Sequence, residues 1–207
     1  PDWVDTTEPT YEEASRHTLE RSMRALGVCG VAQVADYTHM KRNEAKPILE
    51  SLVADGTFAT IRARLHGGED HPLVVHRDDL AALEEAADGA AVPSRTTFLS
   101  PFDNLFWTRG RDTQFWGFRQ VLEAYKPVHL REWGYFCLPI LCGDRLVGRF
   151  DPKLERKTGI MRLRAIYLEQ GVNLDEELVS DIAGAMKDFL DFHGATDLVI
   201  EVSNPPE

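Results

Sequence analysis

The chain has 207 residues, of which 43% are hydrophobic and 28% charged, and its formal net charge is −11. This composition predicts a soluble globular protein of one or two domains, since no apolar run reaches the roughly eighteen residues that a membrane helix needs. The acidic, polar N-terminus excludes a secretory signal on this chain, and its start at Pro1 rather than Met leads us to expect further residues upstream.

The three cysteines favour a reducing, cytoplasmic location. Cys29, Cys137 and Cys142 are odd in number and have no CxxC spacing, so they predict neither a disulfide framework nor a zinc site. The sequence also contains no nucleophile elbow, phosphate loop, dinucleotide fingerprint or zinc-protease motif. We therefore expect no metal and no cofactor.

Charge is unevenly distributed along the chain. Residues 1–92 carry 17 acidic and 9 basic side chains, residues 105–165 carry 6 and 12, and residues 166–207 carry 10 and 1. A basic middle between acidic flanks favours contact with a local anionic partner, such as the phosphate backbone of DNA. A solvated basic hairpin without a partner would give the same pattern, so both interpretations stay open.

The first half of the chain has the element order of a winged helix-turn-helix domain. Apolar spacing predicts three helices followed by two short strands. These elements lie at residues 12–26, 31–38, 43–55, 57–65 and 72–76. In such domains the third helix commonly enters the major groove of DNA. An acidic linker helix at residues 77–91 completes a predicted domain over residues 1–92.

The second half predicts an α+β domain over residues 93–207. Period-two alternation and glycine-containing turns indicate three consecutive strands, after which a long amphipathic helix and a closing strand follow. The predicted spans are residues 133–142, 145–153, 160–168, 173–194 and 197–202. The expected fold class is therefore α+β, with a winged helix followed by an antiparallel, β-barrel-like curved sheet and a C-terminal helix.

The stretch LSPFDNLFWTRGR, residues 99–111, concentrates large apolar side chains, two arginines and one aspartate. Ser100 as N-cap and Asp103 at N3 predict a short helix that Gly110 ends, with its aromatic side chains turned mostly inward. Asp103 is interpreted as a capping residue rather than a catalytic carboxylate. The arginines are either surface and ion-pair residues or a bidentate clamp for phosphate. They are Arg109 and Arg111.

The strongest electrostatic candidates for DNA contact lie on the predicted three-stranded meander. Period-two spacing predicts that two pairs of arginines each share a strand face. The pairs are Arg145 with Arg149, and Arg162 with Arg164. Further cations surround the second turn, namely Lys153, Arg156 and Lys157. Binding through such a hairpin would weaken steeply with salt and ignore base sequence.

Four further candidates lie in the predicted winged helix. Lys41 and Arg42 precede its third helix, where Pro47 is expected to delay and distort the leading turn and so make base reading doubtful. Arg62 and Arg64 share a face of the wing's first strand, although acidic residues at the wing tip would repel phosphate. A module that contacts protein instead of DNA is an equal alternative for this domain.

Three segments carry a resemblance to a known family. They are LSPFDNLFWTRGR, GYFCLPILCGDRLVGRFDPKLERKTGIMRLRAIYLE and the predicted winged helix before them. Over most of residues 12–203 the chain resembles the C-terminal part of the AlkZ/YcaQ-like winged-helix proteins, a family of bacterial DNA glycosylases. The resemblance implies removal of bulky alkylated bases or unhooking of interstrand crosslinks in base excision repair. It also implies double-stranded DNA as the partner, no membrane, and a nucleoid-associated cytoplasmic location.

The catalytic signature of that family, a Gln-x-Gln or Gln-x-Asp pair that would position the hydrolytic water, is not found in this sequence. Gln33 precedes Asp36 by one residue too many, and Gln114, Gln120 and Gln170 have no such partner. No catalytic residue is therefore assigned. We expect a DNA-binding C-terminal portion whose catalytic pair lies in the missing N-terminal winged helix of a longer parent chain. The alternatives are a non-catalytic module for protein interaction or transcription regulation, and an enzyme that acts alone.

Overall fold

The computed structural model describes Trp3 and residues 7–204, and within them the chain divides into two units. The N-terminal unit consists of the chain up to Ala91 together with Asn104–Gly117. The C-terminal unit consists of Val92–Asp103 and the chain from Phe118 onward. Pro1, on which the expectation of an upstream segment rests, lies outside the described residues.

Three helices begin the N-terminal unit, as the apolar spacing predicts. They are α1 (Tyr11–Leu26), α2 (Val31–Tyr37) and α3 (Arg42–Ala54). Helix α1 starts in a capping box, in which the backbone N–H of Glu13 donates to Thr10 Oγ1 and the backbone N–H of Thr10 donates to the Glu13 carboxylate. Helix α3 runs through Pro47 from Arg42 onward, so the expected late start is wrong. The first turn is already formed before Pro47, since the backbone N–H groups of Glu44 and Ala45 donate to the backbone oxygen of Lys41, and the proline removes only its own hydrogen bond.

A small antiparallel sheet packs on these helices. Its strands, in spatial order β1-β3-β2, are β1 (Val28–Cys29), β2 (Phe58–Arg64) and β3 (Asp70–His76). The predicted hairpin is present, and β1 adds a short edge strand that the sequence did not predict. Helices and sheet share a core in which Leu19, Met23, Leu52 and Phe58 are buried. The acidic segment then forms a 3-10 turn at Arg77–Asp79 and helix α4 (Leu80–Ala87).

Residues 99–111 do not form the single helix that was predicted. The backbone N–H of Phe102 donates to Ser100 Oγ at 3.2 Å, and a turn follows instead of a helix. The next elements are a 3-10 turn at Asn104–Phe106 and helix α5 (Arg111–Trp116). Gly110 is the N-cap of α5, so it begins a helix rather than ending one.

The aromatic side chains of this stretch are only partly buried, which also corrects the prediction. Phe102 is 54% exposed and Trp107 is 44% exposed. The indole Nε1–H of Trp107 donates to the backbone oxygen of Tyr37 at 2.8 Å, and the two rings lie 6.4 Å apart. Trp107 therefore packs at the surface of the N-terminal unit, where its polar N–H finds a partner.

A six-stranded sheet and one long helix form the C-terminal unit. The helix is α6 (Glu176–His193). The strands are β4 (Thr96–Phe98), β5 (Leu138–Cys142), β6 (Arg145–Glu155), β7 (Ile160–Leu168), β8 (Asp197–Ile200) and β9 (Ser203–Asn204). Their spatial order is β4-β5-β6-β7-β8, and β9 also pairs with β7.

The sheet is mixed, which corrects the expectation of a wholly antiparallel sheet. Strands β4 to β7 pair antiparallel, and the predicted meander over β5, β6 and β7 is confirmed. Strands β8 and β9 instead pair parallel to β7. Parallel neighbours need a crossover connection, and α6 supplies it between β7 and β8. The fold of this unit is therefore α+β, a curled half-barrel of mixed strands with a C-terminal helix.

Two register shifts bend the central strands, one between β5 and β6 and one between β6 and β7. Such bulges increase local twist and curl a sheet. The sheet and α6 bury a common core that includes Ile140, Phe150, Leu163 and Met186. Within the described part of the chain, no helix has the length and apolar character that crossing a membrane requires.

Gly148 lies where the neighbouring strand leaves no room for a side chain, and we predict that its replacement destabilises the C-terminal unit. A Cβ at this position would overlap the backbone oxygen of Tyr167 on the neighbouring strand. Gly148→Ala should lower the free energy of unfolding by roughly 2 kcal/mol or more, because strand β7 would have to move. Urea unfolding followed by circular dichroism measures the change.

Gly184 provides the matched control. It lies in the middle of α6, and an added Cβ would meet nothing within 4 Å. Gly184→Ala should raise the free energy of unfolding by about 0.5–1 kcal/mol, because alanine loses less backbone entropy in a helix. Equal effects of the two substitutions would contradict the packing argument for Gly148.

Candidate nucleic-acid interface

At the start of α3, the predicted cations are exposed but paired. Lys41 is the N-cap residue, and its Nζ lies 3.4 Å from Glu44 Oε1. A guanidinium nitrogen of Arg42 lies 3.3 Å from Asp36 Oδ2. Exposed ion pairs of this kind are weak. Both cations are therefore accessible to a competing anion, but each has an acidic neighbour.

Strand β2 presents its two arginines on one exposed face, as the period-two spacing predicts. Arg64 Nε lies 3.6 Å from Asp70 Oδ1 on the paired strand. Arg62 makes no ion pair with any residue that the structure describes. The charge of Arg62 is therefore less neutralised by neighbouring carboxylates than the charge of Arg64.

Arg109 and Arg111 have different environments, although they are two residues apart. Arg109 is exposed, whereas Arg111 is only 5% exposed. The guanidinium of Arg111 donates from Nη1 to the backbone oxygen of Val28 at 2.6 Å and from Nη2 to that of Leu26 at 2.8 Å, and it lies 4.4 Å from the ring centroid of Phe115. Burial lowers the pKa of this guanidinium. Arg111 thus holds the end of α1 in place, which corrects its prediction as a phosphate contact.

Arg145 and Arg149 do not share a strand face, because β6 contains a bulge between them. Leu141 pairs with Leu146 and Ile140 pairs with Gly148, so Val147 is an extra residue on β6. One extra residue reverses the alternation of side chains. Arg145 is consequently on the same side of the sheet as α6. There it lines a cavity of about 440 Å³ with Asp175, Glu177 and Asp181.

Arg149 lies inside the C-terminal unit with 1% of its surface exposed. Its Nη2 lies 2.6 Å from Glu169 Oε1, and its Nη1 donates to the backbone oxygen of Arg119 at 2.9 Å. The guanidinium also lies about 4 Å from the ring centroids of Phe118 and Trp133. These internal partners occupy the charge, so the prediction of Arg149 as a phosphate contact is corrected.

Strand β7 carries one paired and one exposed arginine. Arg162 Nε lies 2.7 Å from Glu155 Oε1 and its Nη1 lies 3.6 Å from Glu201 Oε1, and its hydrogen bond lowers the pKa of Glu155. Arg164 falls within the register shift of β7 and is exposed. Together with the three exposed cations near the β6–β7 turn it forms a set that we call the hairpin cations. The set is Lys153, Arg156, Lys157 and Arg164.

Two buried carboxylates, which no sequence motif indicates, hold an irregular segment, residues 119–136, which we call the braced loop. The Glu123 carboxylate is 2% exposed and accepts hydrogen bonds from Lys126 Nζ at 2.8 Å and from the backbone N–H groups of Glu132 at 2.9 Å and Trp133 at 2.8 Å. Burial alone would raise the pKa of Glu123, but these hydrogen bonds outweigh it and hold the pKa at about 2. Glu123 is therefore an ionised structural group at neutral pH.

Asp151, on β6, holds the end of the braced loop. Its two carboxylate oxygens accept from the backbone N–H groups of Tyr135 at 2.8 Å and Phe136 at 3.2 Å. A Cβ on Gly134 would lie 2.8 Å from the Cβ of Asp151, so the loop can approach this closely only with glycine there. In sequence, an Asp in a strand and a Glu in a loop look like ordinary surface residues, and only their burial reveals their role.

The outer side of the braced loop carries large apolar side chains. Tyr125 is 89%, Val128 75% and Leu130 60% exposed, and Tyr135 is also exposed. Val128 and Leu130 lie in a 3-10 turn that spans Val128–Leu130, and Tyr125 lies three residues before it. The loop thus exposes apolar surface on a backbone that is fixed from inside.

Neither thiol chemistry nor metal chemistry is indicated by the remaining polar groups. Burial raises the pKa of Cys29 and of Cys137 to about 12, so both thiols are protonated at neutral pH and are poor nucleophiles. Across the described residues, no three His, Cys, Asp or Glu side chains are grouped so that they could hold a metal ion.

Two comparisons with known proteins bear on the family and the fold of this chain. The model of the family described as "DNA glycosylase AlkZ-like" matches residues 1–192. Among solved structures, the Streptomyces sahachiroi DNA glycosylase AlkZ is similar to this chain, with a TM-score of 0.54 and 16% sequence identity over 97% of this chain and 48% of that chain. The chain therefore spans about half the length of that relative. At this identity the likeness concerns the fold.

We predict that Glu123→Gln destabilises the protein in a pH-dependent way. The pKa of Glu123 is lower in the folded protein than in the unfolded chain, so its stabilisation is present above the unfolded pKa of about 4.3 and is lost as the pH falls toward 2. The variant should be less stable by about 3 kcal/mol at pH 7, and the difference should shrink below pH 4. Urea unfolding between pH 7 and pH 3 measures it.

Glu132→Gln is the matched control for this experiment. Glu132 belongs to the same loop, but its carboxylate is exposed and pairs with Arg119 at the surface. Its replacement should change the free energy of unfolding by less than about 1 kcal/mol at any pH. A destabilisation by Glu123→Gln that is constant between pH 7 and pH 3 would contradict the assignment of an ionised, buried Glu123.

Proposed function

Because the chain belongs to the AlkZ-like family of DNA glycosylases, we propose that it is the DNA-binding, C-terminal part of a DNA-repair glycosylase. The family match over residues 1–192 is the observation that carries this proposal. The chain spans about half the length of the similar glycosylase, and its sequence has no Gln-x-Gln or Gln-x-Asp pair. The catalytic pair would accordingly lie in an N-terminal winged helix of a longer parent chain.

We propose further that the N-terminal unit is a winged helix. The order of α1, α2 and α3 followed by the β2–β3 hairpin supports this assignment, as does the pairing of β1 with β3. In such domains the N-terminal end of the third helix and the wing approach DNA. Lys41 and Arg42 lie at that end of α3, and Arg62 and Arg64 lie on the wing strand.

The cations proposed to contact phosphates are those that the fold leaves exposed. Arg62, Arg109 and Arg164 make no ion pair with a described residue. The other three hairpin cations, Lys153, Arg156 and Lys157, add positive charge near the β6–β7 turn. Lys41, Arg42, Arg64, Arg145 and Arg162 are secondary candidates, since each lies near one or more carboxylates. Phosphate neutralisation by such residues supplies affinity without base specificity.

In the full enzyme, hydrolysis of the N-glycosidic bond requires that the damaged nucleotide reach the catalytic pair, by extrusion or in place. This chain would hold the duplex while that happens. The substrates we propose are bulky alkylated bases and interstrand crosslinks, in a nucleoid-associated bacterial protein. No metal or cofactor is needed for such hydrolysis.

A second candidate function is a non-catalytic winged-helix module that contacts protein or regulates transcription. The carboxylates beside Lys41, Arg42 and Arg64 favour it, because they reduce the charge of the surface that would face DNA. A module that contacts protein would bind duplexes with little salt dependence, or not at all, and the next experiment separates this case from the first candidate. A transcription regulator would bind DNA with salt dependence, but as a dimer that prefers palindromic sites.

We predict that the affinity of the 207-residue chain for a duplex falls linearly with salt on a double logarithmic plot. The double variant Arg156→Ala/Lys157→Ala should make the slope shallower by about 1 to 2, because each lost phosphate contact removes about 0.9 from the slope. Lys187→Ala is the matched control, since Lys187 is the lone basic residue of the acidic segment 166–207 and should leave the slope unchanged. Fluorescence anisotropy between 50 and about 200 mM salt measures it. A flat plot for the unmodified chain would rule out phosphate-driven binding.

A further inference from the structure

We propose that the braced loop is a rigid wedge whose Tyr125, Val128 and Leu130 side chains contact the bases of the bound duplex. This inference rests on the proposed function, since it takes DNA as the partner, and it assigns to that partner a surface other than the exposed cations. The basis is an unusual combination in one segment: exposed apolar side chains, a backbone fixed by buried charges, and an outer surface on which no carboxylate is unpaired.

The apolar side chains are exposed to an extent that folding does not explain. Single exposed apolar residues are common on protein surfaces, but clusters mark binding sites. Here Tyr125, Val128 and Leu130 lie within six residues and are each 60% exposed or more. Tyr135, at the other end of the loop, is exposed as well. The loop therefore presents its apolar groups to a partner rather than to the core.

The backbone of the loop is fixed without help from these side chains. Glu123 accepts hydrogen bonds from three consecutive backbone N–H groups, at residues 132–134, and Asp151 accepts from the next two. Arg131 Nε donates to the backbone oxygen of Lys126 at 3.0 Å, which closes the turn between them. A surface that is ordered before binding loses little conformational entropy on binding. The exposed groups thus have the rigidity that insertion into a base stack requires.

The charges of the loop favour a polyanion. Residues 119–136, all of which the structure describes, contain two carboxylates, and both are occupied: Glu123 is buried, and Glu132 pairs with Arg119. The guanidinium of Arg131 lies 5.0 Å from the ring centroid of Tyr135 at the surface. Phosphates beside the wedge would therefore meet Arg131 and no unpaired carboxylate of the loop itself.

Bases are the part of DNA that apolar and aromatic side chains recognise. Architectural and repair proteins insert apolar wedges between base pairs and kink the duplex, and aromatic rings stack on bases in a sequence-independent way. Val128 and Leu130 fit the first role and Tyr125 the second. A wedge would also help to unstack a damaged nucleotide where hydrolysis proceeds by extrusion of that nucleotide.

The test compares Tyr125→Ser/Val128→Ser with Phe192→Ser in the full chain. Phe192 is 85% exposed on α6 and serves as the matched control for loss of exposed apolar surface. Two quantities are measured: the affinity for a duplex over a range of salt, and the fluorescence of a 2-aminopurine placed in that duplex, which rises when the base unstacks. Thermal unfolding checks that each variant is folded.

For the loop variant we expect about tenfold weaker binding with an unchanged salt slope, and loss of the 2-aminopurine signal that the unmodified chain produces. The Phe192→Ser variant should match the unmodified chain in both. Weakening of similar size by Phe192→Ser would overturn the assignment of the effect to the loop.

Two further outcomes separate this inference from the proposed function. If the unmodified chain binds the duplex and the loop variant retains its affinity and fluorescence signal, the wedge is refuted while DNA binding stands. If the unmodified chain does not bind the duplex at any salt concentration, both proposals fall. Loss of self-association in the loop variant, with DNA binding unchanged, would identify the loop as an interface between copies of this chain and would overturn the wedge.

Discussion

The C-terminal unit depends on how it neutralises a buried positive charge. Arg149 is on the central strand β6 and almost fully buried, a position in which an unpaired guanidinium would cost several kcal/mol. Its partners come from three places: Glu169 after β7, the backbone oxygen of Arg119, and the ring faces of Phe118 and Trp133. The sheet and the start of the braced loop are thereby joined through one side chain.

In the rest of the braced loop, buried negative charges are likewise stabilised by partners within the protein. Glu123 and Asp151 are buried and find their donors in five consecutive backbone N–H groups, from Glu132 to Phe136. Such a loop needs no hydrophobic core of its own, because hydrogen bonds to charged groups are stronger than those between neutral ones. Its apolar side chains are then free to serve another purpose. This explains how a segment with only one 3-10 turn keeps a defined shape.

Regular elements could be predicted from the sequence, whereas the positions of individual cations could not. Helices α1, α3 and α6, the β2–β3 hairpin and the β5–β6–β7 meander follow from apolar spacing and glycine turns, because these signals are local. A bulge leaves no comparable signal, and the extra residue at Val147 was enough to put Arg145 and Arg149 on opposite faces. The parallel pairing of β8 depends on a crossover through α6, which is also non-local. Burial of Arg111 and Arg149 depends on tertiary partners that no short motif identifies.

The N-terminal unit has a further consequence for how the chain can be divided. Its α1 end is held by Arg111, which lies 85 and 83 positions beyond the carbonyls of Leu26 and Val28 that it binds. Residues 92–103, which belong to the C-terminal unit, lie between these carbonyls and Arg111 in the chain. Neither unit is therefore a continuous stretch of the gene. A recombination event with one crossover near residue 92 would separate Arg111 from its carbonyls and would transfer neither unit intact, so the two are expected to be inherited together.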